Sequence, residues 1–220
     1  MAVPFNEFSA FSPNHTMDDI SASLYNALPL IQHSSARFDE QLASARLSRT
    51  EFFSELAPLF EEKGYTKQYA VCLVHRHFLL EEGERMVANN KSSAPTRDKS
   101  DNIIPERWLK TGEPFEYRVI DDVNPLSPPP SVDFFAKFKS VLDRFAIDVL
   151  GICAIPRDEL PPGYWLLETQ GIGERELLTN RVPFASDVKS TFHSSWVMEK
   201  GGTVLKYCYF PMHGCQVQCT

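Results

Sequence analysis

The sequence predicts an α+β fold: N-terminal helices, and one long central helix packed on a mainly antiparallel sheet. Three observations carry this. Helix signals crowd the first third of the chain, led by the capping box Ser48-x-x-Glu51. Apolar residues then recur at helical spacing from Phe134 to Val149. Beyond residue 150 the chain breaks into strand-like runs, and the last two are joined by Glu199-Lys-Gly-Gly202, which is good hairpin chemistry.

The elements follow in order. Residues 1–15 form an irregular arm whose Phe5, Phe8 and Phe11 can dock on the body. A short helix is expected over 16–28, with Thr16 as N-cap, Asp18 and Asp19 at its positive end and Pro29 as its stop. A second covers Ala36 to Leu47. The third starts at Ser48, buries Phe52, Phe53, Leu56, Leu59 and Phe60, and stops at Gly64.

Gln68 to Phe78 reads as a strand, rich in Val, Tyr and Phe. Residues 88–102 offer almost nothing to bury and are expected to be a mobile loop. Residues 115–121 read as a strand, and 124–131 as a stiff proline-rich connector. Ser131 caps the central helix and Gly151 closes it. Strands are expected over 150–155, 164–170, 188–198 and 203–210. The whole of 1–220 is read as one domain, because 220 residues at 43% hydrophobic content suffice for a core without staples.

Charge and composition exclude several classes. A net charge of −7 with scattered Lys and Arg leaves no basic footprint for nucleic acid. No window approaches the roughly 18 apolar residues that span a bilayer, so no membrane partner is expected. The first fifteen residues lack a basic n-region and an apolar h-region, which predicts a cytoplasmic protein. Its five cysteines are then reduced thiols.

The candidate site lies in Val71-Cys-Leu-Val-His-Arg-His-Phe78. In a strand, His75 and His77 share a face, about 6.5–7 Å apart by the rise per residue, within reach of one metal or one anion. Two neutral imidazoles are what zinc and iron sites often use, with Glu81, Glu82 or Glu84 as a third ligand. The competing reading makes both histidines structural, hydrogen-bonded at a strand end. Arg76, on the opposite face, is expected to pair with an acidic residue.

Glu168 ends the run Tyr164-Trp-Leu-Leu167, which looks buried on both faces. There its pKa would rise and suit a general base, unless it forms an ion pair with Arg175, Arg181 or another base. The tail offers Cys208, His213, Cys215 and Cys219, a chemically adequate zinc set without a C-x2-C knuckle. Strand alternation also gives Cys208 a packed position. Gly171-Ile-Gly-Glu-Arg175 reads as a turn, and His193 among serines lacks a nucleophile elbow.

Two resemblances bear on these residues. His75-x-His77-x3-Glu81 resembles the first motif of the cupin barrels. The preceding glycine and a second histidine motif are missing, and the helices do not suit a small β-barrel, so that reading is set aside. The block Val71–Val87 resembles uncharacterised fungal proteins with an LLHRHF-like strand before an acidic, glycine-containing turn. The similarity extends loosely to Trp108, the central helix and Glu168-Thr169. It implies a fungal, intracellular origin and supplies no catalytic residues.

Two functions follow. One is a small-molecule enzyme of fungal secondary metabolism, metal-dependent, with His75, His77 and Glu168 in a pocket between sheet and helix. The other is a non-catalytic binding protein with structural histidines and a zinc-binding tail.

Overall fold

The computed structural model describes residues 17–66, 68–89, 92–98, 100, 102–120, 128–155, 164–171, 175–183, 191–198 and 204–211. The aromatic N-terminal arm, the Thr16 cap, the first half of the connector 124–131 and the 199–202 link lie outside them.

Three helices come first: α1 (Met17–Ala27), α2 (Ile31–Ala45) and α3 (Arg49–Lys63). Pro29 separates α1 from α2, which starts five residues earlier than expected. The cap of α3 forms as read. Ser48 Oγ accepts from the Glu51 amide at 3.2 Å, and Glu51 Oε2 accepts from the Ser48 amide at 2.7 Å. Gly64 ends the helix at φ 69°, where a side chain would be strained.

Strands β1 (Tyr69–Leu73), β2 (Arg85–Asn89), β3 (Ser92–Thr96), β4 (Ile103–Leu109) and β5 (Pro114–Val119) follow. Helix α4 (Val132–Arg144) then precedes β6 (Leu150–Ala154), β7 (Tyr164–Gln170), β8 (Leu177–Pro183), β9 (Thr191–Met198) and β10 (Val204–Pro211). The protein is α+β and strand-rich. The ten strands close into a barrel in the order β1-β6-β4-β5-β2-β3-β8-β7-β10-β9, with β9 returning to β1.

Three expectations change here. The central helix α4 is shorter than the expected run from Ser131 to Gly151: it has 13 residues, against 15 in each of α2 and α3. It stops at Arg144 because Ala146 turns to φ 54°. The apolar repeat runs on to Val149 only because Ile147 and Val149 join the same core from outside the helix. The sheet is mixed: eight of its ten pairings among the described strands are antiparallel, as expected, but β2 with β5 and β7 with β10 pair in parallel. Residues 88–102 also carry structure: β2 and β3 pair through Ala88↔Ser93 and Asn89↔Ser92. A polar strand can form there because its backbone pairs with β2 on one side and β8 on the other. Barrel closure likewise removes the helix-based objection to a β-barrel.

The helices cover the outside of one wall. Phe38 of α2, Phe52 and Phe53 of α3, and Phe134 and Phe138 of α4 pack on Tyr69, Val71 and Leu73 of β1, Trp108 of β4, Ile152 of β6 and Trp196 of β9. Edge-to-face contacts dominate, such as Phe60 with Phe134 at 5.3 Å. Burying each large side chain contributes about 1.5–3 kcal/mol, so this layer holds the wall in place. Helix α1 packs separately against β2 and β5. Among the described residues, no helix is long and apolar enough to cross a membrane.

Candidate metal centre in the barrel wall

The wall has two faces. Trp108 and Ile152 face the helices, so their neighbours Arg107 and Cys153, paired across β4 and β6, face the interior. Glu116 lies directly opposite Arg107 on β5 and shares that face. In β1, Tyr69, Val71 and Leu73 face the helices, while Ala70 and Cys72 pack with Cys153.

Strand β1 ends at Leu73, five residues short of the expected run. The bend is closed by His75 Nδ1, which donates to the Leu73 carbonyl at 2.8 Å. Strand alternation therefore does not place the histidines. Their rings meet edge to face, with centroids 4.7 Å apart and Nε2 to Nε2 at 3.1 Å. Glu168, arriving on β7, completes a group whose three ligand atoms all lie within 4.8 Å of one another. All three residues are buried.

Arg107 ties this group to a second carboxylate. Its Nη2 donates to Glu168 Oε1 at 2.6 Å, and its Nε lies 3.1 Å from Glu116 Oε2. The two carboxylates thus flank one edge of the guanidinium. Arg107 Nη1, Glu116 Oε1 and Glu168 Oε2 have no hydrogen-bond partner among the described residues. The roof comes from α1, where the buried Tyr25 hydroxyl accepts from the His77 amide at 3.2 Å.

These surroundings set the protonation states. Burial pushes His75 down to about 4, with Glu168 opposing and Arg107 assisting. Burial and the neighbouring His75 hold His77 well below the usual imidazole range. Both rings are therefore neutral near pH 7, as metal ligands must be. Burial alone would raise Glu168, but Arg107, then the two imidazoles, bring it well below the ordinary carboxylate value. The expected general base is therefore a firmly ionised carboxylate. Burial instead raises Glu116, to about 7 against the pull of Arg107.

The other expected residues fall elsewhere. Of the proposed third ligands, Glu84 forms a bidentate pair with Arg175 at 2.7 and 2.8 Å, and Glu81 accepts from Arg97 at 2.6 Å. Glu82 meets Arg97 through its backbone carbonyl. Arg175 is thus spoken for, and the partner of Glu168 is Arg107. Tyr164 is exposed, so the run before Glu168 is not covered on both faces. Among the described residues Arg76 has no carboxylate partner; its Nε donates to the Leu28 carbonyl and its amide to that of Pro29, both at 2.8 Å.

His193 lies in β9, opposite Tyr209. In the tail, the Cys208 backbone pairs with β9 and β7, while His213, Cys215 and Cys219 lie outside the described residues.

Arg107 and Glu116 were not evident beforehand. Each is a charge inside a strand flanked by apolar residues, Arg107 beside Trp108 and Glu116 between Phe115 and Tyr117. A matched pair of such charges was the available signal. No protein-family model, curated protein or solved structure matches the chain.

Proposed function

We propose that His75, His77 and Glu168 hold one divalent metal ion, zinc or iron, in a small-molecule enzyme. The observation that carries this is the 3.1 Å approach of two Nε2 atoms beside an ionised carboxylate. With metal–nitrogen bonds of about 2.0–2.1 Å, that spacing corresponds to a ligand–metal–ligand angle of about 100°. The Leu73 carbonyl accepts from His75 Nδ1–H, which leaves the Nε2 lone pair, facing His77 Nε2, free for a metal. Arg107 orients Glu168 through Oε1 and leaves Oε2 for the metal. Glu168 would then close in by about 0.6 Å or more, since the ligand atoms lie within 4.8 Å of one another and metal-bound atoms cannot lie farther apart than about 4.2 Å.

Two histidines and one carboxylate leave coordination positions open, and a bound metal would supply Lewis-acid or redox chemistry there. The fungal secondary-metabolism setting rests on the Val71–Val87 block alone.

A second reading also has its own support. Without metal, His77 Nε2–H donates to His75 Nε2, and His75 has both ring nitrogens occupied at 0% exposure. That arrangement suits a non-catalytic protein with structural histidines. Metal analysis of protein purified without a histidine tag separates the two. About one equivalent of zinc or iron, lost in both His75→Gln and Glu168→Gln, supports the metal centre. Metal-free protein whose unfolding midpoint ignores added zinc(II) and iron(II) rules it out, because a ligand of the native state must stabilise it.

A further inference from the structure

Strands β1 and β6 bring two thiols together on the inner face. Cys72 and Cys153 are free cysteines, and both pack in one buried cluster with Ala70. They are diagonal neighbours, since Cys72 stands opposite Gly151 and Cys153 opposite Ala70. Those opposite residues are the two smallest there are, so nothing bulky stands beside either sulfur across the pair. The Cys72 thiol donates to that of Cys153.

The two thiols are not equivalent. Cys153 lies opposite Arg107 on β4, and its Sγ is 3.8 Å from Ser195 Oγ. The hydrogen bond from Cys72, then the Arg107 charge, hold Cys153 below the ordinary thiol range although burial opposes them. Burial and the same bond push Cys72 up. Cys153 is also the more reachable, at 4% exposure against 0% for Cys72. Cys153 is thus placed as a nucleophile with a second thiol directly behind it. A soft metal ion suits the pair less well. It would need two thiolates close to Glu116 and Glu168, crowding negative charge around one guanidinium. A disulfide carries no charge and needs no hydrogen-bond partner, so it can be buried there.

We propose that Cys72 and Cys153 are a peroxide-reactive pair, in which Cys153 attacks and Cys72 resolves. The Cys153 thiolate attacks one oxygen of hydrogen peroxide, a molecule small enough for a tight interior. An S–O bond forms as the O–O bond breaks, which leaves a sulfenic acid and, with the thiol proton, one water. The Cys72 sulfur then attacks that of Cys153. The S–S bond forms, the S–O bond breaks, and the departing hydroxide takes the Cys72 proton as a second water. Two electrons have passed from the thiols to the peroxide. Diagonal neighbours on antiparallel strands stand about 7–8 Å apart, whereas a relaxed disulfide spans roughly 4.4–6.8 Å between Cα atoms. Closing the bond therefore draws β1 toward β6, and the strained bridge is readily reduced again. The pair stands independently of the metal-centre reading.

Peptide mapping by mass spectrometry of the full chain tests this. Folded protein is given one molar equivalent of hydrogen peroxide, remaining thiols are blocked with N-ethylmaleimide, and the chain is digested. The expected product is a peptide pair joined through Cys72 and Cys153, lighter by two hydrogens and parted again by dithiothreitol. In Cys72→Ser, dimedone should capture Cys153 as the sulfenic acid; in Cys153→Ser, Cys72 should stay free. Both thiols left free in the native chain, or either one oxidised without that link, overturns the proposal. So does a link that forms only after unfolding in urea. Should a serine variant fail to fold, the map of the native chain still decides.

Discussion

The two faces of the β1 wall can be compared residue by residue. Toward the helices, Tyr69, Val71 and Leu73 meet a layer from α2, α3 and α4 dominated by aromatic side chains. Toward the interior, the same wall presents Cys72, Cys153, Arg107 and Glu116, with His75, His77 and Glu168 gathered beside them. Both faces are buried, yet only one is built as a core usually is. Burying an arginine and two carboxylates costs several kcal/mol per ion before pairing returns any of it. The outer layer supplies stability; the inner set spends some of it on polar chemistry that a purely structural barrel does not need.

The largest expected effect is on the inner face. Arg107→Met leaves Glu116 and Glu168 buried without their cation, and should lower stability by about 3–5 kcal/mol at pH 7. Urea unfolding at pH 7 and pH 5 would show the loss shrinking at the lower pH, where Glu116 carries its proton. A loss equal at both values would mean the carboxylates are not what Arg107 holds.

On the outer face, Leu56→Ala should cost about 3 kcal/mol, as cavity-forming core substitutions do, with no dependence on pH between 5 and 8. Metal content should not change. If it does, the two faces are not independent.

A third effect separates two opposing titrations. The depressed His75 stabilises the fold fully above its unfolded value near 6.5, and that contribution is lost as pH falls toward 4. The raised Glu116 does the reverse, stabilising fully below 4.5 and losing its contribution as pH rises toward 7. His77, also depressed, adds to the His75 fall, so across pH 5–7 Glu116 offsets only part of it. In Glu116→Gln the histidine slopes stand alone, so stability should fall by at least about 2 kcal/mol from pH 7 to pH 5, the His75 share at about 1.4 kcal/mol per pKa unit. Native protein should change less over that range, as read by denaturant midpoints.

Smallest is Ser48→Ala, which removes the α3 cap and should cost about 1 kcal/mol. Thermal unfolding should register it without any change in metal content.

Elements with local signals could be read from the sequence. The Ser48–Glu51 box, Gly64 and the Ser131 cap mark helix ends through contacts three residues apart, and they form as expected. Strands β6 and β7 also appear where their apolar runs lie. What the sequence conceals is pairing over long separations. Polar β3 has no pattern of its own and exists through its neighbours. Strand β4 is interrupted by Pro105 and by register shifts around Arg107. Gly151 looks like a helix stop but sits within β6, where a Cβ would meet the Trp108 carbonyl oxygen at 2.3 Å.

The site divides the same way. His75 and His77 stood out as a pair and Glu168 separately, grouped with them only as a hypothesis, and it is barrel closure that brings β7 to the end of β1. Arg107 and Glu116 stayed hidden because a lone charge within a strand ordinarily signals a solvent face.

Arg76 stands between the two histidines and grips the turn joining the first pair of helices, through the carbonyls of Leu28 and Pro29. The backbone between the two imidazoles is thus tied to a knuckle of chain outside the strand. A relative with a longer or shorter turn at that knuckle would keep both histidines yet tether the chain between them differently, a change to be read in how their rings meet.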